Sequence, residues 1–267
     1  MSTLTIQKAL RKTERPHLRV NVGNVDIDNV NISEAIALIE EFVQERRVCY
    51  LGNPNVDVTV RIQSDPMLAN YYKNAALTLV DGVPVMWAAK FLGSPLKEKI
   101  SGSDLVPEIC KLAEQKGYKL YFLGGRPGAA AAAKEILEVK YPDINIVGTY
   151  APPFGFEKDE REMERIFSKI REAAPDILLV GLGVPKQEKF IAACYRELQV
   201  PVSMGVGVTF EFIAGIVKRA PLWMQRSGLE WFWRLCMEPG RLWKRYLVDD
   251  LQFLTLIWKQ KKAASKK

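Results

Sequence analysis

Histidine is almost missing from this chain. His17 is the only one in 267 residues, which excludes a His-rich metal centre and most catalytic triads built on imidazole. The four cysteines, Cys49, Cys110, Cys194 and Cys236, stand far apart and show no metal-ligand spacing. Buried thiols in a reducing compartment are the simplest account of them. No run of 18 apolar residues occurs, so no segment is expected to span a bilayer. The first residues mix Lys, Arg, Thr and Gln without an apolar stretch, so no secretory signal is expected. There is no internal repeat, and no low-complexity tract beyond the short alanine run at 129–133. What remains, 48% hydrophobic and 26% charged residues, is ordinary for a globular protein.

Charge and tryptophan are unevenly spread. The chain carries a net charge of +7, yet residues 218–267 alone hold twelve Lys or Arg against four Asp or Glu. The same stretch contains Trp223, Trp231, Trp233, Trp243 and Trp258, five of the six tryptophans. A near-neutral body with a basic, Trp-rich tail suits an anionic surface, either membrane headgroups or a phosphate-bearing partner. The expected division is a polar, poorly ordered segment over 1–17, a body over 18–217 and an appendage over 218–267.

The tail reads as two helical pieces split at Pro239-Gly240. In the second, Leu242, Trp243, Tyr246, Leu247, Leu251, Leu254, Ile257 and Trp258 share one helical face, with Arg, Lys, Gln and Thr opposite. Docking onto the body and lying on a membrane are both open for such a face. Asp250 falls inside it and requires either a partner or a bend.

The body alternates strands and helices. "LRVNVGNVDID" reads as a strand and turn, "NISEAIALIEEFVQERR" as a helix capped by Asn31 or Ser33, and "VCYLG", "LTLVDG", "YKLYFLGG", "INIVGTY", "DILLVGLG" and "PVSMGVGV" as strands with helical patterns between them. Near-continuous apolar strands joined by helices predict an α/β, Rossmann-like, mostly parallel sheet covered on both faces.

Ligands of such sheets bind beyond the carboxyl ends of the strands. Five of those ends carry unusual loops: Asn53-Pro54-Asn55, Asp81-Gly82, Gly124-Gly125-Arg126-Pro127-Gly128, the run from Gly181 to Glu188, and the run from Gly205 to Glu211. Glycine-rich turns that open helices leave backbone N–H groups free for phosphate, and Arg126 and Lys186 add charge beside two of them. The pattern predicts at least one site for a nucleotide or phosphorylated substrate, although turn geometry alone also explains each glycine. The GGxxG loop lacks an acidic residue for a ribose on the following strand, and no Walker A loop is present. Asp81 ends a buried strand. It is either a general base or a brace for the next turn. The D-x-D pair Asp26 and Asp28 lies in an early turn and reads as turn chemistry. Asp104 reads as a helix cap that could also face a ligand.

Taken together, "NPNVD", "LVDGVPVMWAAKFLG", "KISGSDL", "YFLGGRPG", "APPFGF", "VGLGVPKQEKFI", "GVGVTFEFIAG" and "KRAPLWMQRSGLEWFWRLCMEPGRLWKRYL" resemble the WecG/TagA/CpsF glycosyltransferases, glycosyltransferase family 26, in family order from about residue 20 to 250. The resemblance implies a Rossmann-like catalytic domain and a membrane-associating C-terminal appendage, on the inner face of a bacterial plasma membrane. It implies inverting transfer of a hexose or N-acetylhexosamine-type sugar from a UDP-sugar to a polyprenyl-diphosphate-linked sugar, with no cofactor and no essential metal. The family's proposed base aligns with Asp81, its leaving-group cation with Lys99 where others often carry Arg, and its donor-binding Gln with Gln187. Asn53 and Asn55 fall where the donor sugar is touched, and many members have Thr at the first. Asp104, Gly124, Gly125, Arg126, Lys186 and Gly207 complete the expected donor site. Arg219, Arg226 and Arg234 are expected near the acceptor's diphosphate, with Trp231, Trp243 and Arg245 at the membrane. The partners so implied are a UDP-sugar, a lipid-diphosphate glycan and an anionic membrane surface, with self-association open and no nucleic acid. A non-catalytic nucleotide-binding relative of the same fold and a nicotinamide-dependent oxidoreductase are the competing readings.

Overall fold

A computed structural model describes residues 17–265, except for the side chain of Arg241. The predicted N-terminal segment therefore lies, save for His17, outside the described residues. Two short strands come first, β1 (Arg19–Val22) and β2 (Val25–Asp28), paired antiparallel across Gly23-Asn24. Both turn residues have positive φ, +58° and +68°, the geometry a two-residue hairpin demands. The sequence reading made this region a strand and a turn and missed β2, although a Gly-Asn pair between apolar runs is the signal for it.

Six strands form the main sheet, in the order β4 (Leu77–Thr78), β3 (Cys49–Gly52), β8 (Val202–Gly205), β7 (Ile177–Gly181), β5 (Lys119–Gly124), β6 (Asn145–Tyr150), and every pair is parallel. Because the strands are parallel, all their carboxyl ends open on one edge. Their apolar runs are buried on both sides. Tyr121, Leu123, Leu178 and Val180 face one core, while Leu120, Phe122, Ile177, Leu179 and Met204 face the other. The second core is covered by α1 (Ile32–Gln44), α5 (Gly102–Lys116), α6 (Ala129–Lys140) and α9 (Thr209–Ile213). The first is covered by α2 (Val56–Arg61), α3 (Pro66–Asn74), α4 (Val83–Leu92), α7 (Glu160–Ala173) and α8 (Lys186–Leu198). The predicted α/β architecture is thus present.

Asp28 fastens the hairpin to the sheet edge. It is buried, accepts the Thr78 N–H at 2.7 Å, and meets Arg19 Nε at 2.8 Å and His17 Nε2 at 2.9 Å. Its role is structural, but the D-x-D pair lies in β2 and not in the turn expected from the sequence. Cys49, Cys110 and Cys194 are buried free thiols, whereas Cys236 is exposed.

The tail is more broken than its periodicity suggests. It runs through α10 (Leu222–Arg226), α11 (Glu230–Met237) and α12 (Pro239–Lys244), then a π turn at Arg245–Asp249, and ends in α13 (Gln252–Ala264). A π turn adds a residue to the helical repeat and rotates the next helix about its axis. The single apolar face read from sequence is therefore divided. Leu242, Phe253 and Ile257 are buried, the last two in the same core as β5 and β7, while Trp243, Leu247, Leu251, Leu254 and Trp258 are each more than half exposed. Gln260 adds polar contacts, accepting the Gly23 N–H at 2.8 Å and donating to the Asn21 carbonyl at 3.0 Å.

Asp250 receives both the partner and the bend that its position required. Arg245 Nε lies 4.0 Å from Asp250 Oδ2 and 3.5 Å from Asp57 Oδ2, and Asp57 also pairs with Arg61 at 2.7 Å. Burial pushes the Asp250 carboxyl up to about 6; Arg245 and Arg61 oppose that, and Asp57 and Asp249 add to it. The docked tail therefore holds this proton more tightly than a released tail would. Docking is favoured below pH 6 and weakens as pH rises through 6. Proteolytic release of α13 should accordingly be slower at pH 5 than at pH 7.5, and the difference should shrink in Asp250→Asn; an unchanged difference in that variant would contradict the assignment.

Candidate active site

The open edge of the sheet carries the candidate residues, each placed by a local structural rule. Asp81 follows β4, with its N–H donated to the Pro54 carbonyl at 3.0 Å. Gly82, at φ +116°, then turns the chain into α4 with Pro84 in the first turn. Among the described residues no hydrogen bond or ion pair holds the Asp81 side chain. Burial is the largest influence on it and pushes its carboxyl up to about 6; Lys99 draws it down, Glu230 and Asp104 push it up, and Arg234 draws it down. A carboxyl in that range is ionised at neutral pH yet basic enough to accept a proton.

Asp104 behaves oppositely. It caps its own helix in a box with Ser101, accepting the Ser101 N–H at 3.1 Å. Lys99 Nζ forms a short ion pair with Oδ2, and Arg219 Nη2 lies 2.6 Å from Oδ1. Burial pushes the carboxyl up, but Lys99, Ser101 and Arg219 together outweigh it and hold the group at about 2. Arg219 also approaches Glu230 at 3.4 Å. The predicted body and appendage thus meet at this point, with α11 supplying two of the charges that Asp81 feels. Asn53 joins the cluster by donating to the Ile100 carbonyl at 3.0 Å, and its Oδ1 is buried without a partner. Asn55 caps α2 through the Val58 N–H at 3.1 Å.

A second group lies across the rim. Gln187 is buried, accepts the Gly207 N–H at 3.0 Å, and donates to Glu188 Oε1 at 3.0 Å. Its amide crosses Gly205 so closely that a Cβ there would stand 2.5 Å from Nε2, which explains the glycine at that strand end. Ser103 and Thr209 hydroxyls lie 3.0 Å apart and join this group to the start of α5.

Three amides expected to be free for phosphate already donate inside the protein. Gly125 N–H goes to the Gly181 carbonyl at 2.7 Å, Arg126 N–H to Glu211 Oε1 at 3.0 Å, and Gly207 N–H to Gln187. Gly124, at φ +99°, packs against Gly181, where a Cβ would meet its carbonyl oxygen at 2.7 Å. The Arg126 guanidinium pairs with Glu238 of the tail at 3.0 Å, and Lys186 with Glu157 at 3.0 Å. Arg245, expected at the membrane, turns instead to Asp57 and Asp250. Trp231 lies edge-on to Tyr246, with centroids 5.9 Å apart.

Sequence reasoning passed over Glu188 and Glu211. Both are buried, and each has an oxygen without a hydrogen-bond partner. Burial pushes Glu188 up to about 7, against hydrogen bonds from Gln187, its own backbone and Tyr72. The available signal was an acid at the start of a helix whose following residues are apolar, in "KQEKFI" and "TFEFI". Glu230 was missed because only the fold brings it to Arg219 and Asp81.

Known proteins match this chain along most of its length. The model of the glycosyl transferase WecG/TagA/CpsF family matches residues 20–267. An N-acetylglucosaminyldiphosphoundecaprenol N-acetyl-beta-D-mannosaminyltransferase of Bacillus spizizenii is 29% identical over 246 residues, which is 92% of this chain and 93% of the relative. The protein of that name in Staphylococcus aureus is 29% identical over 229 residues, 85% of this chain and 86% of the relative.

The electrostatics set a direct expectation. In a carboxyl-carbon NMR titration, Asp81 should show a midpoint near 6. Removing the neighbouring cation in Lys99→Ala should move it upward, since the ionised form then loses its main stabilising charge. A midpoint near the ordinary carboxylate value in both proteins would contradict the account.

Proposed function

The chain belongs to the glycosyl transferase WecG/TagA/CpsF family and is a glycosyltransferase of polysaccharide synthesis; from that premise we propose that it moves N-acetylmannosamine from its UDP derivative onto an N-acetylglucosaminyl-diphospho-polyprenol, by inversion and without an essential metal. The transferred sugar and the acceptor are taken from the relatives' names, and the UDP carrier is part of the proposal. The observation that carries the reading is Asp81: a carboxyl at the open end of the sheet, unpaired among the described residues, raised to about 6 and faced by Lys99.

In this proposal the acceptor hydroxyl gives its proton to Asp81 as its oxygen bonds to the anomeric carbon. The bond from that carbon to the diphosphate breaks in the same displacement, and UDP leaves with the electron pair. One base and no covalent nucleophile suffice, by analogy with inverting glycosidases. Lys99 spends one of its three N–H donors on Asp104, leaving donors for the charge that builds on the leaving group. Asp104 keeps that ammonium in place. Gln187, Asn53 and Asn55 are the proposed donor-sugar contacts, and Arg226 and Arg234 the proposed acceptor-phosphate contacts; Arg219, expected with them, is instead held by Asp104 and Glu230. Arg126 and Lys186 are assigned to holding Glu238 and Glu157 rather than the donor diphosphate.

No helix among the described residues is long and apolar enough to cross a membrane. We place the protein peripherally on the cytoplasmic membrane face. The support is the exposure of Trp243, Leu247, Leu251, Leu254 and Trp258, together with the tail's excess of Lys and Arg.

Asp81→Asn should lower kcat at least about 100-fold, within the range general base catalysis contributes, while UDP binding stays within about twofold of wild type. Near-normal turnover in that variant would overturn the base assignment. Absence of transfer in the wild-type protein with any UDP-sugar and lipid-diphosphate acceptor would favour the non-catalytic reading.

A further inference from the structure

Beside α4, which begins two residues after Asp81, lies an open cleft of about 440 Å³ whose apolar side the mechanism leaves unused. Val83, Met86 and Trp87 of α4 form one apolar side, and Pro95 and Leu96 of the following loop continue it. Lys99 lines the cleft as well, and it is the foremost charge acting on Asp81. Gln225 and Arg226 of α10 supply the tail's share of the lining. The turn after them packs on the body, since a Cβ at Gly228 would meet Val83 at 3.0 Å and Trp87 at 3.2 Å. The docked tail therefore supplies one side of the cleft.

Its charges are unevenly satisfied. Lys97 is paired with Glu34 at 2.7 Å, and Lys99 with Asp104. Glu98 accepts the Ile32 N–H at 2.8 Å. Lys90 and Arg226 have no carboxylate partner among the described residues, and Trp87 is 57% exposed beside them. An apolar wall bordered by unpaired cations complements a molecule with a hydrocarbon chain and an anionic head. It does not suit a free sugar nucleotide, whose sugar and base offer no such chain.

We propose that this cleft binds the first isoprene units and the diphosphate of a polyprenyl-diphosphate acceptor. The chain lies along Val83, Met86 and Trp87, and the phosphates lie between Lys90 and Arg226. This rests on the acceptor class proposed above, and it adds the direction from which the acceptor arrives. The lipid enters past α4, and its sugar reaches Asp81 beyond Lys99.

The test uses the full chain saturated with UDP, so that the donor site is occupied; calorimetry is run without vesicles, and phosphatidylglycerol vesicles are a separate arm. Calorimetry compares farnesyl diphosphate, inorganic diphosphate and farnesol. Farnesyl diphosphate should bind at least about tenfold more tightly than either fragment, roughly the effect of burying two methylene groups. Met86→Trp, which fills the cleft, should remove that advantage while leaving UDP binding and melting temperature near wild type. Trp87→Ala should weaken farnesyl diphosphate in the same way. Lys90→Ala combined with Arg226→Ala should weaken both phosphate-bearing probes about tenfold or more. Equal binding of farnesyl diphosphate and inorganic diphosphate overturns the proposal, as do variants that bind like wild type. Variants that lose binding to phosphatidylglycerol vesicles but keep farnesyl diphosphate would make the cleft a bilayer contact and also overturn it. Transfer to a lipid-diphosphate acceptor with an unchanged acceptor KM in Met86→Trp would reject the cleft alone. Absence of transfer in the wild type would reject the function on which it rests.

Discussion

The site hangs on the Asp104 carboxylate. It accepts its own helix cap from Ser101, the ammonium of Lys99 and the guanidinium of Arg219 at once. Without it, Lys99 would lose its carboxylate partner and Arg219 would keep only Glu230, 3.4 Å away, a costly arrangement in a partly buried place. With it, Lys99 is fixed beside Asp81 and the tail is tied to the body by the same carboxylate. Asp81 shares the neighbourhood but has none of these bonds, so burial dominates it. The same surroundings thus hold one carboxyl at about 2 and the other at about 6. Separation of two carboxyls in this way assigns them different work: one is a permanent anion that organises cations, the other a base able to take and release a proton near neutrality.

The tail belongs to the same arrangement. Phe253 and Ile257 enter a core of the sheet, Arg126 reaches Glu238, and Arg245 is wedged between Asp57 and Asp250. What began as a basic, Trp-rich extension therefore has two faces. One side completes the site through Arg219, Glu230 and Arg234, and the other exposes Trp243, Leu247, Leu251, Leu254 and Trp258. The lipid-linked acceptor proposed above would make use of both, one side meeting a membrane surface and the other completing the site for the donor.

Much of the body was legible because its strands are apolar on both faces and each ends on a loop with unusual residues. Asp81 was visible as an acid at the end of "LTLV", Gln187 as part of a long motif, and Asp104 as a cap. Long-range pairing was not legible. Periodicity could not show that Arg126 and Lys186 are taken by Glu238 and Glu157, that Gly125 and Gly207 amides are used internally, or that Arg245 turns inward. Those outcomes depend on which loops the sheet order brings together. The β1–β2 hairpin was missed although Gly23-Asn24 announces it. Asp250 was the reverse case: an anomaly in a helical wheel that correctly located a bend and a buried ion cluster.

The central claim is a single in-line displacement with Asp81 as base. It is tested most directly by the anomeric configuration of the product, read from the proton–carbon one-bond coupling at C1 by NMR after transfer from an α-linked UDP-sugar. The account requires a β-linked product. An α-linked product would mean retention, would call for a mechanism other than one inverting step, and would contradict the role given to Asp81.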